Sequence, residues 1–100
     1  MHVRMARYTT GGDINDLLAR AEEGLLPLFE NQPGFRAYSI AVSGNEIFSY
    51  SVWDAIEDAE AANAAAAAWI AENMTEITPV ETIYGELMLS TTLGVSPARA

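Results

Sequence analysis

Asn63 is the residue here whose chemistry most needs explaining: a neutral amide with two N–H donors and an acceptor oxygen, set in the alanine-rich run AEAANAAAAAWIAENM. Steps of three and four from Ile56 pass through Ala59, Asn63, Ala66 and Ile70 to Ile77, so the amide shares its stripe with apolar neighbours. In a dry site its N–H groups can hold a phenolate or enolate oxygen, as fixed dipoles that stabilise developing negative charge. A structural hydrogen bond to backbone or water accounts for the same placement, and the sequence does not choose. Trp69, one step off the stripe, can wall a pocket by stacking on an aromatic ligand or simply pack. Trp53 reads as core at the strand-to-helix junction. Tyr8, Tyr50 and Tyr84 lie on strand-like runs, as proton donors or as packing residues with one wet end.

Other chemistries find little support. Arg7 and Arg36 can clamp an acidic group, but on strands flanked by acids they read as surface ion pairs worth about 0–1 kcal/mol each. His2, the single histidine, sits beside the N-terminus and is a poor general base. With no cysteine and dispersed carboxylates there is no metal-ligand set, and no histidine stands ready to activate a serine. The 100 residues carry 14 acids against five arginines, a net charge of -9 that repels nucleic acid and anionic membranes. The absence of cysteine fits a reducing interior, so the cytoplasm is expected, with no export signal or membrane segment.

The elements that must position Asn63 follow from patterning. His2 to Thr10 alternates as a strand that stops at Gly11-Gly12. Asp13 with Asp16 opens a helix whose stripe is Ile14, Leu17, Leu18, Ala21, Leu25, Leu28 and Phe29, with either a kink or a second short helix expected at Gly24 to Pro27. Pro33-Gly34 turns the chain into two strands, Phe35 to Ser43 and Glu46 to Trp53, joined tightly at Gly44-Asn45. Asp54 and Glu57 in capping-box spacing start a second helix that runs to about Asn73. Val80 to Leu89 is the last strand, which gives β-α-β-β-α-β in a single domain over residues 1–90. The tail from Thr91 to Ala100 is expected either to fray or to reach over a partner subunit.

Two helices cover only one face of such a sheet. Strict alternation puts Ala37, Ser39, Ala41, Ser49, Ser51 and Gly85 on the helix side and Tyr38, Ile40, Val42, Phe48, Tyr50 and Val52 on the other. The second set would be wet in a monomer, so a homodimer is expected. Small residues on both sheet and helix either let the two approach closely or enclose a cavity. The reading favours a cavity lined by Phe29, Trp53, Asn63, Trp69 and Ile70, fit for a flat aromatic ligand.

Strand order, the PGF turn at Pro33 to Phe35, the SVWD junction at Ser51 to Asp54 and the Asn63 segment resemble the antibiotic biosynthesis monooxygenase group of the dimeric α+β barrel superfamily. The resemblance covers residues 2 to 90. It implies an α+β, ferredoxin-like βαββαβ subunit that pairs sheet to sheet, and a pocket between sheet and helices. It implies oxidation of a small electron-rich aromatic by molecular oxygen with no metal or flavin cofactor. Asn63 would then bind the substrate oxygen, Trp69, Trp53, Phe29 and Ile70 would wall the ring, and Tyr50 or Tyr84 would relay a proton. Haem-degrading members use an asparagine on the first strand and a histidine on the second helix, and this chain has neither. The alternative is a non-catalytic dimeric module that binds a small ligand or serves as a scaffold, which the lack of a strong acid–base pair supports.

Overall fold

Alternation along the first strand, β1 (His2–Thr10), buries Arg4, Ala6, Tyr8 and Thr10 and turns Val3, Met5, Arg7 and Thr9 the other way, as a strand covered on one side requires. The computed structural model describes residues 1–97. Asp13 caps α1 (Ile14–Arg20), its Oδ1 accepting from the backbone N–H groups of Asn15 at 2.9 Å and Asp16 at 3.3 Å. The expected interruption is a π-helical turn, Ala21–Leu25, which leads into α2 (Leu26–Glu30). Two causes are visible. Pro27 offers no N–H and crowds the preceding turn, and Gly24 is where the Trp69 ring lies so close that any Cβ would overlap it.

The hairpin follows as β2 (Phe35–Ser43) and β3 (Glu46–Trp53), then α3 (Ile56–Asn73) and β4 (Ile77–Glu86). The expected capping box does not form. Asp54 gives its carboxylate to Arg36 instead, and α3 starts after Ala55 with no side-chain cap, while Glu57 and Asp58 still meet the positive end of the helix. Gly34, at φ +78°, passes so near Asp58 that a side chain there would collide with it. Arg20 ties α1 to the far end of α3 through Asp16, Glu76 and the carbonyl of Asn73, and its hydrogen bond holds the Glu76 carboxyl below its ordinary range.

The four strands are antiparallel in the order β2-β3-β1-β4, a ferredoxin-like α+β arrangement as expected. β4 begins earlier than the sequence indicated and contains Pro79. That proline is tolerated because β4 is an edge strand and its register against β1 shifts there, between Arg7 and Tyr8.

One expectation about faces is overturned. The β2–β3 register shifts between Phe35 and Ala37, so Tyr38, Ile40 and Val42 lie opposite Ser51, Ser49 and Ile47 on the helix side, together with Phe35 opposite Trp53. Ala37, Ser39 and Ala41 instead share the open face with Val52, Tyr50 and Phe48, and Gly85 joins them opposite Val3. A single extra residue near Arg36 reversed the alternation. The open face keeps apolar groups nonetheless, Met5, Phe48, Tyr50, Val52 and Ile83 among them.

The tail departs from the frayed expectation. Ser90 and Val95 exchange backbone hydrogen bonds at 2.8 and 3.1 Å across a turn in which Gly94 takes φ +70°. The last part of the expected tail, residues 98–100, lies outside the described residues. Among the described residues no helix is long and apolar enough to cross a membrane.

Candidate active site

Where α3 crosses β1 and β4, its alanines leave space. Ala67 and Ala71 project one carbon each, and a cavity of about 490 Å³ remains between them and the sheet, open to solvent along the exposed Ala67, Ala71, Thr75, Pro79 and Thr82. Its polar lining comes from Arg4 and Tyr8 on β1, Asn63 on α3, Thr75 just beyond that helix, and Thr82 on β4, and Ile70, Met74, Ile77 and Pro79 complete the wall. That volume falls within the range of small-molecule sites.

Arg4 organises the polar end. Its Nε donates to Asn63 Oδ1 at 2.8 Å and its Nη2 to the Tyr8 hydroxyl at 3.0 Å, and the guanidinium lies 5.6 Å from the centre of the Phe29 ring. The side chain is 1% exposed. Since a guanidinium can only donate, Asn63 must turn its oxygen toward Arg4, which leaves the two Nδ2 hydrogens without a protein acceptor among the described residues. Asn63 thus reaches the cavity as a donor.

Two further tyrosines surround Arg4. Tyr84 lies opposite it on β4, its phenol pushed up by burial while the Arg4 charge opposes the shift. Tyr38 approaches from β2, and burial pushes its phenol up to about 12. Neither Tyr38 Oη nor the neighbouring Ser49 Oγ has a hydrogen bond of ordinary geometry. Both phenols are therefore protonated at neutral pH. No carboxylate or imidazole lines the cavity among the described residues, so its lining offers donors and no strong base.

The structure brings only part of the expected constellation together. Asn63 and Ile70 line the cavity, and Tyr84 stands opposite Arg4 on β4 without entering the lining. Phe29 and Trp53 are fully buried in the adjoining core, edge to face at 5.5 Å, with the Trp53 indole donating to Ser51 Oγ. Trp69 packs on Gly24, away from the lining. Tyr50 lies on the open face, across the sheet from Asn63. Arg7 and Arg36 are ion pairs with Glu46 and Asp54. Arg4 was given no role from sequence, although the alternation of β1 puts it on the same face as Ala6 and Tyr8. Among the described residues no group of three or more histidine, cysteine or acidic side chains could hold a metal ion.

Solved structures place this architecture. SnoaB, a cofactor-independent oxygenase from Streptomyces nogalater, superposes with a TM-score of 0.73 over 90% of this chain and 95% of its own, at 16% identity. Its structure is also known for an asparagine-to-alanine variant. The chain shares the fold of the antibiotic biosynthesis monooxygenase-like proteins. A monooxygenase from the ActVA-Orf6 gene of Streptomyces coelicolor, solved with the ligand nanaomycin D, matches 89% of this chain and 92% of its own with a TM-score of 0.64 at 16% identity. MhuD, in a variant that holds two manganese protoporphyrin IX molecules per active site, covers 91% of this chain and 98% of its own with a TM-score of 0.68 at 21% identity. No protein-family model and no curated protein matches the chain.

Proposed function

We propose that the protein is a cofactor-independent monooxygenase for a small electron-rich aromatic compound, bound in the cavity beneath α3. The observation that carries this reading is the Asn63 amide, oriented by Arg4 so that it offers donors to that cavity. The substrate's phenol or enol oxygen accepts from Asn63 Nδ2, and the alanine face of α3 and the side chain of Ile70 lie along the ring. Tyr84, protonated and next to Arg4, is the phenol placed to donate a proton.

For an anthrone-like substrate the reaction needs no outside reductant. The ionised ring gives its electrons to molecular oxygen, and one oxygen atom becomes the new carbonyl. The other leaves as water with the two hydrogens of the former methylene, and the substrate supplies all four electrons. The protein contributes orientation and a donor for the oxyanion.

The test is oxygen uptake by chelator-treated protein with a dihydroxyanthrone. Substrate-dependent uptake that falls about 10²-fold in Asn63→Ala supports the reading, that being the effect of removing one oxyanion donor. Saturable binding without uptake favours a ligand-binding module, a second reading supported by the absence of a base from the lining. Absence of both overturns the site.

We further propose a homodimer through the open face, where Met5, Phe48, Tyr50, Val52 and Ile83 would otherwise meet water, Tyr50 at 41% and Ile83 at 47% exposure. Sedimentation at micromolar concentration should give twice the 10.8 kDa chain mass, and a monomer alone contradicts this.

A further inference from the structure

Arg4 is the only described arginine without a carboxylate partner. Arg7 pairs with Glu46, Arg20 with Asp16 and Glu76, and Arg36 with Asp54, whereas Arg4 has two neutral acceptors, an aromatic face and a buried Nη1 with no hydrogen bond at all. A buried ion of this kind is costly, and an arginine cannot escape the cost by losing its proton as a lysine can. The fold therefore keeps an uncompensated positive charge beneath a cavity that has no negative group in its lining.

Resting on the functional reading above, we infer that Arg4 makes the cavity a receptor for the ionised form of its aromatic ligand. The phenolate or enolate oxygen sits on Asn63 Nδ2, and Arg4 behind the amide supplies the compensating charge. Arg4 is a positioning residue in this scheme: it fixes which end of Asn63 faces the ligand and biases the ligand's ionisation without touching the reacting carbon. A cavity without a base must obtain its substrate anion from the substrate's own acidity, and an unmatched cation shifts that equilibrium toward the anion. The titratable and charged groups facing Arg4 are Tyr8 on β1, Tyr38 on β2 and Tyr84 on β4, with the exposed Glu60 of α3 acting on Tyr84. None of these is an anion packed against the guanidinium.

The probe is a nitronaphthol, a bicyclic phenol whose ionised form alone is coloured, titrated with the protein across pH while equilibrium dialysis measures its retention. In the native protein the bound probe should ionise at a pH at least about one unit below that of the free probe, a tenfold preference for the anion. Arg4→Gln should bring the ionisation of the bound probe back to or above the solution value, and Arg4→Lys should restore part of the shift. A merely structural role for Arg4 would change retention without this dependence on charge. Retention of the probe with no shift in the native protein overturns the inference, and so does a failure to retain it at any pH. Oxygen is not consumed in this experiment. A shift without turnover therefore upholds the anion receptor and counts against the oxygenase, while turnover without a shift does the reverse.

Discussion

The space between helices and sheet has two halves, built on the same strands and differing in what covers them. Beneath α1 and α2 the covering stripe is Leu17, Leu25 and Phe29, and these fill the volume against Tyr38, Ile47 and Trp53. Phe29 meets Tyr38 at 4.9 Å and Trp53 at 5.5 Å, and both Phe29 and Trp53 are completely buried. Beneath the C-terminal half of α3 the stripe is alanine, and the corresponding volume holds the cavity. The size of the side chains on the covering helix therefore decides whether the space against the sheet is core or pocket. The filled half supplies stability. The empty half keeps two polar groups at its floor, the buried Arg4 and the half-buried Asn63.

Substitutions should separate the halves sharply. In the filled half, Trp53→Ala or Phe29→Ala should cost about 3–5 kcal/mol in denaturant unfolding, enough to remove much of the stability of a small domain. A loss below about 1 kcal/mol would show that this half is not the packed one.

Tyr38 marks the border and responds to pH. Its folded phenol titrates near 12 against an ordinary value of 10.0, so its contribution is complete below about pH 10 and is lost as pH rises toward 12. Two units correspond to about 2–3 kcal/mol. Tyr38→Phe should leave neutral stability unchanged or slightly higher, since the hydroxyl has no partner, and should flatten the alkaline decline. Equal declines in both proteins would contradict the assignment.

Gly24→Ala should destabilise by about 1–3 kcal/mol, because its Cβ must displace the Trp69 ring. Combining it with Trp69→Leu should recover part of that loss in a double-mutant cycle. Simple additivity would mean that the two positions are not coupled.

Ala67→Leu, in the empty half, is expected to have the smallest effect on folding, within about 1 kcal/mol. It should nevertheless abolish retention of an aromatic probe by occupying the cavity. Unchanged binding would show that the ligand lies elsewhere.

Much of this division was legible in the chain. The leucine and phenylalanine stripe of α1 and α2, the alanine run around Asn63 and the hairpin at Gly44-Asn45 are local patterns, and each gave its element directly. The face assignment of β2 was not legible, because one extra residue near Arg36 reverses the alternation and nothing in FRAYSIAVS marks where it falls. The expected aromatic pocket shared that cause. With Tyr38 turned inward, Phe29 and Trp53 close into a core instead of walling a void. Trp69 depended on a second contact at a distance, its approach to Gly24, which no spacing within α3 encodes. Arg4 was legible in part. Its position in HVRMARYTT puts it on the buried face of β1, but a cation there runs against the expectation that charges stay wet, and its partner Asn63 lies 59 residues further on.

The most direct test follows the Asn63 side-chain amide by heteronuclear NMR while a nitronaphthol is titrated into the native protein. The account predicts a large, saturable shift of the two Asn63 Nδ2 hydrogens, with further changes at Ala67, Ile70 and Thr82 and little change around Phe29 and Trp53. Saturable binding that leaves the Asn63 amide unmoved, with its changes in the filled half or on the open face, would contradict it.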